Sequence, residues 1–115
     1  MQVLLNTDSH IPGDQNLSAL VETTVQDAMH RFGDRVTRVE VHLSDENSGA
    51  KEGENDKRCV MEARLAGLPP ITISDQAATI EQAVDGAAER LQKTVARTLE
   101  RLDDPRRNTS MAGEV

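Results

Sequence analysis

Aromatic side chains are almost missing from this chain: Phe32 stands alone, with no Trp and no Tyr in 115 residues. That excludes the stacking platforms on which RNA-recognition motifs and OB-folds hold splayed bases. Any contact with nucleic acid would have to work through phosphates and shape. Cysteine is nearly absent as well. With Cys59 alone there is no internal disulfide framework and no paired-thiol zinc or redox motif, and a reducing compartment fits. No apolar run approaches the roughly 20 residues that span a bilayer. Met1–Leu5 also lacks the basic start and long apolar stretch of a signal peptide, so the expected setting is cytoplasmic with no membrane partner. Positive charge is the last scarcity: 13 Lys and Arg face 20 Asp and Glu, a net charge of -7. Long-range repulsion then opposes unspecific binding of a polyanion such as DNA, and only a localised basic patch could overcome it.

What is present suffices for one small domain. A chain of this size, 37% hydrophobic, can bury a single core without disulfides or metals but has little surplus for a large catalytic cavity. Gln2–Asn6 reads as a short strand, and the polar stretch from Asp8 to Asp14 as a loop. From Asn16, Leu17, Leu20, Val21, Val25, Ala28 and Phe32 recur at helical spacing, and Gly33 is placed to end the pattern. Val39, Val41 and Leu43 then alternate with Arg38, Glu40 and His42. Cys59, Met61, Ala63 and Leu65 alternate in the same way with Arg58, Val60, Glu62 and Arg64. Two neighbouring runs of period two predict an antiparallel hairpin with one buried face, joined by a long loop between Asp45 and Lys57. After Pro69 and Pro70, Ile71 and Ile73 mark a further strand. The last element is the longest helix: Ile80, Val84, Ala87, Leu91, Val95 and Leu102 share one stripe, with Asp75 or Thr79 as N-cap. The order β-α-β-β-β-α predicts an α+β domain over residues 1–102, a four-stranded mixed sheet with two helices packed on one face. Residues 103–115 read as a disordered tail.

Charge is concentrated in one place. Between residues 90 and 101 the cations Arg90, Lys93, Arg97 and Arg101 meet the single acid Glu100. Their spacings of 3, 4 and 4 residues, at about 100° per residue, form one narrow stripe beside the apolar one. Arg31 flanks the apolar stripe of the first helix, so the two helices can present a joint basic strip, from which Glu89 and Glu100 are expected to point away. The pattern alone fits a solvated face as well as a ladder of phosphate contacts.

Other constellations point to ordinary structure. His10, His30 and His42 fall on a loop, a helix and a strand with no ligand spacing, so neither a metal nor another cofactor is expected. Asp8 beside His10 reads as a backbone-capping turn residue. Asp45, Asn47 and Gly49 lack the remaining positions of a calcium loop. Asn16-Leu17-Ser18 and Asn108-Thr109-Ser110 match the glycosylation sequon but carry no meaning without secretion. Cys59 alternates with inward residues and reads as a buried structural thiol. Arg38, Glu40, His42, Arg58, Glu62 and Arg64 predict a charged lattice on the open sheet face, stabilised by cross-strand pairs or offered to a protein partner. No nucleophile–base pair or matched carboxylates stand out, and no enzyme is expected.

The segments MQVLLNTDSHI, VTRVEVHLSDENS, KRCVMEARL and DQAATIEQAVDGAAERLQKTVARTLERL together resemble the ribosome hibernation promoting factor family, also called ribosome-associated inhibitor A or sigma-54 modulation protein. The resemblance runs from Met1 to about Leu102. It implies a bacterial translation inhibitor, double-stranded-RNA-binding-domain-like in fold, that sits at the decoding region of the small ribosomal subunit in stressed or stationary cells. It also implies that Arg90, Lys93, Arg97 and Arg101 contact ribosomal RNA, to which the helical wheel adds Arg31, and that Leu99 stands where the family often has another cation. A chain ending soon after the first domain resembles the short form. The competing expectation is a protein-binding regulatory module that has kept the fold and lost the ribosome.

Overall fold

A computed structural model describes residues 1–9, 11, 13–45 and 56–103. β1 (Gln2–Thr7) lies parallel to β2 (Val36–Asp45), with Val3 opposite Val39 and Leu5 opposite Val41. Parallel neighbours need a long crossover, and α1 (Gln15–Met29) supplies it. Its N-cap is Asp14, whose side-chain Oδ1 accepts the N–H of Leu17 at 2.9 Å. Val21, Val25 and Met29, four apart, are its buried face. After Met29 the winding tightens into a 3-10 segment, His30–Arg35, in which Gly33 takes φ 58° and ψ -136°. Side chains disfavour that conformation, so the glycine that closes the apolar pattern does so by turning the chain into β2.

β2, β3 (Lys57–Leu65) and β4 (Ile71–Ala77) follow as an antiparallel meander, and the sheet order is β1-β2-β3-β4. The long loop expected between Asp45 and Lys57 falls on residues 46–55, outside the described residues. At the β3–β4 turn the N–H of Leu68 donates to the carbonyl of Leu65 at 3.2 Å, and Gly67 has the positive φ of 76° that this reversal needs. β4 runs beyond Ile71 and Ile73 to Ala77, which puts Asp75 in a strand. The cap of α2 (Ile80–Asp103) is therefore Thr79, whose Oγ1 accepts the N–H of Gln82 at 3.1 Å.

The core lies between the sheet and the two helices. Val39, Val41, Cys59, Met61 and Ala63 fill it from the strands, and Leu91 and Val95 from α2. Ala83, Ala87 and Ala88 are also buried, and their small side chains let α2 lie close on β3 and β4. The expected apolar stripe is wrong at its end. Leu102 is 44% exposed while Leu99 is buried, because the last turn, Arg101 to Asp103, is exposed all round and Leu99 is the last side chain to reach the core.

The open face carries the predicted charges in a different arrangement. Arg38 stands opposite Arg64 and Glu40 opposite Glu62, so the direct cross-strand partners are like-charged and repel. Attractive contacts run along the strands, Arg38–Glu40 at 4.0 Å and Arg64–Glu62 at 3.8 Å, and His42 Nε2 lies 3.9 Å from the Glu40 carboxylate. All are long and only partly shielded from water, and contribute little.

Candidate nucleic-acid interface

Burial of Leu91, Val95 and Leu99 fixes the rotation of α2 and turns Arg90, Lys93, Arg97 and Arg101 outward, all four exposed. Lys93 stands between two grooves. On the α1 side a groove of about 320 Å³ is lined by Arg31, Gln92, Lys93, Ala96, Arg97 and Glu100. On the β4 side a second of about 320 Å³ is lined by Asp75, Gly86, Glu89, Arg90 and Lys93. Arg31 thus joins Lys93 and Arg97, as the paired-helix strip requires, while Arg90 faces the sheet edge and Arg101 stands outside both grooves.

Local bonds hold this arrangement. Gln92 Nε2 donates to the carbonyl of Ala28 at 3.1 Å, tying α2 to the end of α1. The Arg31 guanidinium lies 5.1 Å from the centroid of the Phe32 ring, so the one aromatic side chain orients a cation. Below Arg31 a smaller groove of about 200 Å³ adds Arg35, Leu99 and Asp103. There Arg35 donates from both terminal nitrogens to Asp103, at 2.8 and 3.2 Å. That hydrogen-bonded clasp raises the Arg35 pKa and lowers that of Asp103.

The acids are not turned away from the strip as expected. Glu89 Oε1 accepts from Lys93 Nζ at 3.1 Å, and Glu100 lines both grooves that hold Arg31. A wheel drawn for α2 alone places these carboxylates on the solvent apex. Glu89 lies one turn from Lys93 on that same wheel, whereas Glu100 shares a groove with Arg31 and Arg35 only because the 3-10 segment packs beside α2. Arg90, Arg97, Arg101 and Glu100 make no ion pair among the described residues. The sequence reading missed Arg35, Gln92 and Glu100 as groove residues. The spacing of Arg31 and Arg35 was the available signal for the first of these.

The remaining candidates are structural. Cys59 is fully buried, and burial together with the nearby Asp75 carboxylate pushes its thiol up to about 12; a neutral, enclosed thiol is inert. The Asp8 carboxylate accepts the N–H of Asp45 at 3.0 Å, capping the end of β2. Lys57 bonds Asp56 at 3.0 Å and pairs with Asp45 at 3.4 Å, and both contacts raise its pKa. His30 opens the 3-10 segment and His42 lies on the open face, whereas His10, Asn47, Gly49 and the second sequon lie outside the described residues. Among the described residues no three His, Cys, Asp or Glu side chains gather as metal ligands, and no helix is long and apolar enough to cross a membrane.

Element order, sheet topology and an outer helix ridged with cations define a class of small α+β domains. Solved structures share the fold, among them two that cover most of this chain. The Protein Y N-terminal domain of Thermus thermophilus matches with a TM-score of 0.68 and 17% identity, over 85% of this chain and 99% of that one. A ribosomal subunit interface protein from Coxiella burnetii matches with a TM-score of 0.66 and 14% identity, over 85% and 97%. Comparison with curated proteins gives no match. The family described as sigma 54 modulation protein / S30EA ribosomal protein matches residues 6–103, and the chain belongs to that family. It is thus a ribosome-associated hibernation factor by family, in a group of modulation factors and not an enzyme class, and a bacterial stress setting fits.

Proposed function

We propose that this chain binds ribosomal RNA at the decoding region of the small subunit, in the cytoplasm of stressed or stationary cells, and keeps the ribosome idle. Residues 1–102 form the binding domain, and Arg90, Lys93, Arg97, Arg101 and Arg31 are its phosphate contacts. The observation that carries this reading is the α2 ridge, where three arginines stand exposed with no ion pair among the described residues. Exposed guanidinium groups with uncommitted donors suit phosphate oxygens, which they can engage two bonds at a time. Double-stranded-RNA-binding domains likewise read shape and backbone without aromatic stacking. Neutralising about four to six phosphates gives a salt slope of about -3 to -5 on a log–log plot.

Co-sedimentation with ribosomes through sucrose gradients at several salt concentrations tests this. The wild type should migrate with the small subunit or whole ribosome at low salt and leave it as salt rises. Arg90→Glu, Lys93→Glu and Arg97→Glu together should abolish migration while circular dichroism stays unchanged. Undiminished migration of that variant would sink the mechanism.

A second reading has one observation behind it. The like-charged rows Arg38/Arg64 and Glu40/Glu62 oppose direct cross-strand pairing and suit a protein surface of complementary charge. A stable protein partner recovered from ribosome-free lysate, and lost on Glu40→Lys with Glu62→Lys, would favour it.

A further inference from the structure

In the groove that holds Arg31, Glu100 is the acid that phosphate binding leaves unexplained. Glu89 is held by Lys93 at 3.1 Å and Asp103 by Arg35 at 2.8 Å. Glu100 makes no ion pair among the described residues, although Arg31, Lys93 and Arg97 line the same groove. A carboxylate there repels every phosphate alike and weakens a groove built for phosphate alone. The groove is also furnished for more than a point charge. The Gln92 amide is anchored through Nε2 to the Ala28 carbonyl, which fixes its orientation at the groove wall. Ala96 provides a small apolar patch. A volume of about 320 Å³ is at the lower end for small-molecule sites, a size for one nucleotide.

We propose that this groove takes an unpaired guanine nucleotide, its phosphate on Lys93 and Arg97 and its N1–H and N2–H on the Glu100 carboxylate. The proposal rests on the RNA-binding reading above. Among the four bases, guanine alone places two adjacent donors on its Watson–Crick edge, matching the two oxygens of an ionised carboxylate, which is acceptor-only. Adenine and cytosine set one donor beside an acceptor, and uracil flanks its single donor with two acceptors, so each turns at least one lone pair toward Glu100. The guanine O6 beside those donors is an acceptor and suits the guanidinium groups of the same groove. Arg31, oriented by Phe32, adds a planar cation of the kind on which unstacked bases lie. The guanine is therefore read at its edge, in a chain that lacks rings to stack it.

Fluorescence anisotropy tests this with labelled oligouridine carrying one central guanine, inosine or adenine, against the wild type and Glu100→Gln. Inosine keeps N1–H and lacks the N2 amino group. The wild type should prefer guanine about tenfold over inosine and adenine, within the discrimination of a good bidentate pair. Glu100→Gln should lose that preference while binding plain oligouridine more tightly, because a repelling charge has gone. A gain by one common factor for every RNA, with no guanine preference in the wild type, overturns the inference. GTP is the free-nucleotide arm: competition by GTP at oligonucleotide concentrations, with the same dependence on Glu100, assigns the groove to a free nucleotide, and competition by RNA alone assigns it to unpaired RNA. Ribosome co-sedimentation that persists without any guanine preference defeats this inference alone. Loss of co-sedimentation defeats the reading beneath it.

Discussion

Gly86 shows how one side chain's absence positions a charge. On the wheel it falls within the basic stripe, between Lys93 and Arg97, and in the structure a Cβ there would collide with the Asp75 carboxylate from β4. The missing methyl admits Asp75 beside Arg90 and Lys93 and near Cys59, its cross-strand partner. Gly in a helix interior costs about 1 kcal/mol relative to Ala, so Gly86→Ala at an open site would stabilise by that amount. Here the gain should be cancelled, because Asp75 must move. In an Asp75→Ala background the same change should stabilise by about 1 kcal/mol. A urea-denaturation cycle over the four proteins measures the coupling. Agreement of the two backgrounds within about 0.4 kcal/mol would mean that Asp75 swings aside without cost.

At the scale of elements, the strands and helices were legible because each obeys one period. β2 alternates from Val39 to Leu43 and β3 from Cys59 to Leu65, and α1 buries every fourth residue from Val21 to Met29. What a single-element pattern did not show is where one element meets another. Asp75 and Thr79 fit the cap equally by pattern, and the run of β4 to Ala77 decides for Thr79; Leu102 fits the stripe by period, but the core ends at Leu99. The end of α2 is held differently, by the Arg35–Asp103 clasp between residues 68 apart. Asp103 has its pKa lowered by that bond, so the clasp is complete above the ordinary carboxylate range and is lost as pH falls through the folded-state value. Asp103→Asn should therefore speed amide exchange over the last turn of α2 by about two- to fivefold at neutral pH, leaving the global unfolding midpoint in place. Acidifying the wild type should reproduce the effect, and the variant should gain nothing further from acid. Identical exchange in the two proteins at neutral pH would show that packing of Leu99 alone holds the turn.

For the whole molecule, the governing quantity is a net charge of -7 around a ridge of four cations. The cations were readable from spacing, since a run of 3, 4 and 4 can only be one face of a helix. The composition of the groove was not. It depends on how α2 is rotated against α1, where the Gln92–Ala28 bond joins residues 64 apart in sequence. The acidic remainder has its own kinetic consequence. Glu22 and Asp27 are exposed on α1 and line neither of the grooves beside Lys93, so they act on an approaching ribosome only through the field. Glu22→Gln with Asp27→Asn should raise the association rate with ribosomes several-fold at about 50 mM salt, with the dissociation rate unchanged. The advantage should vanish at several hundred millimolar salt, where the screening length falls to a few ångströms. Stopped-flow mixing of labelled protein with ribosomes across a salt series separates the two rates. A changed dissociation rate, or a gain that survives high salt, would instead put these two side chains in direct contact with the ribosome.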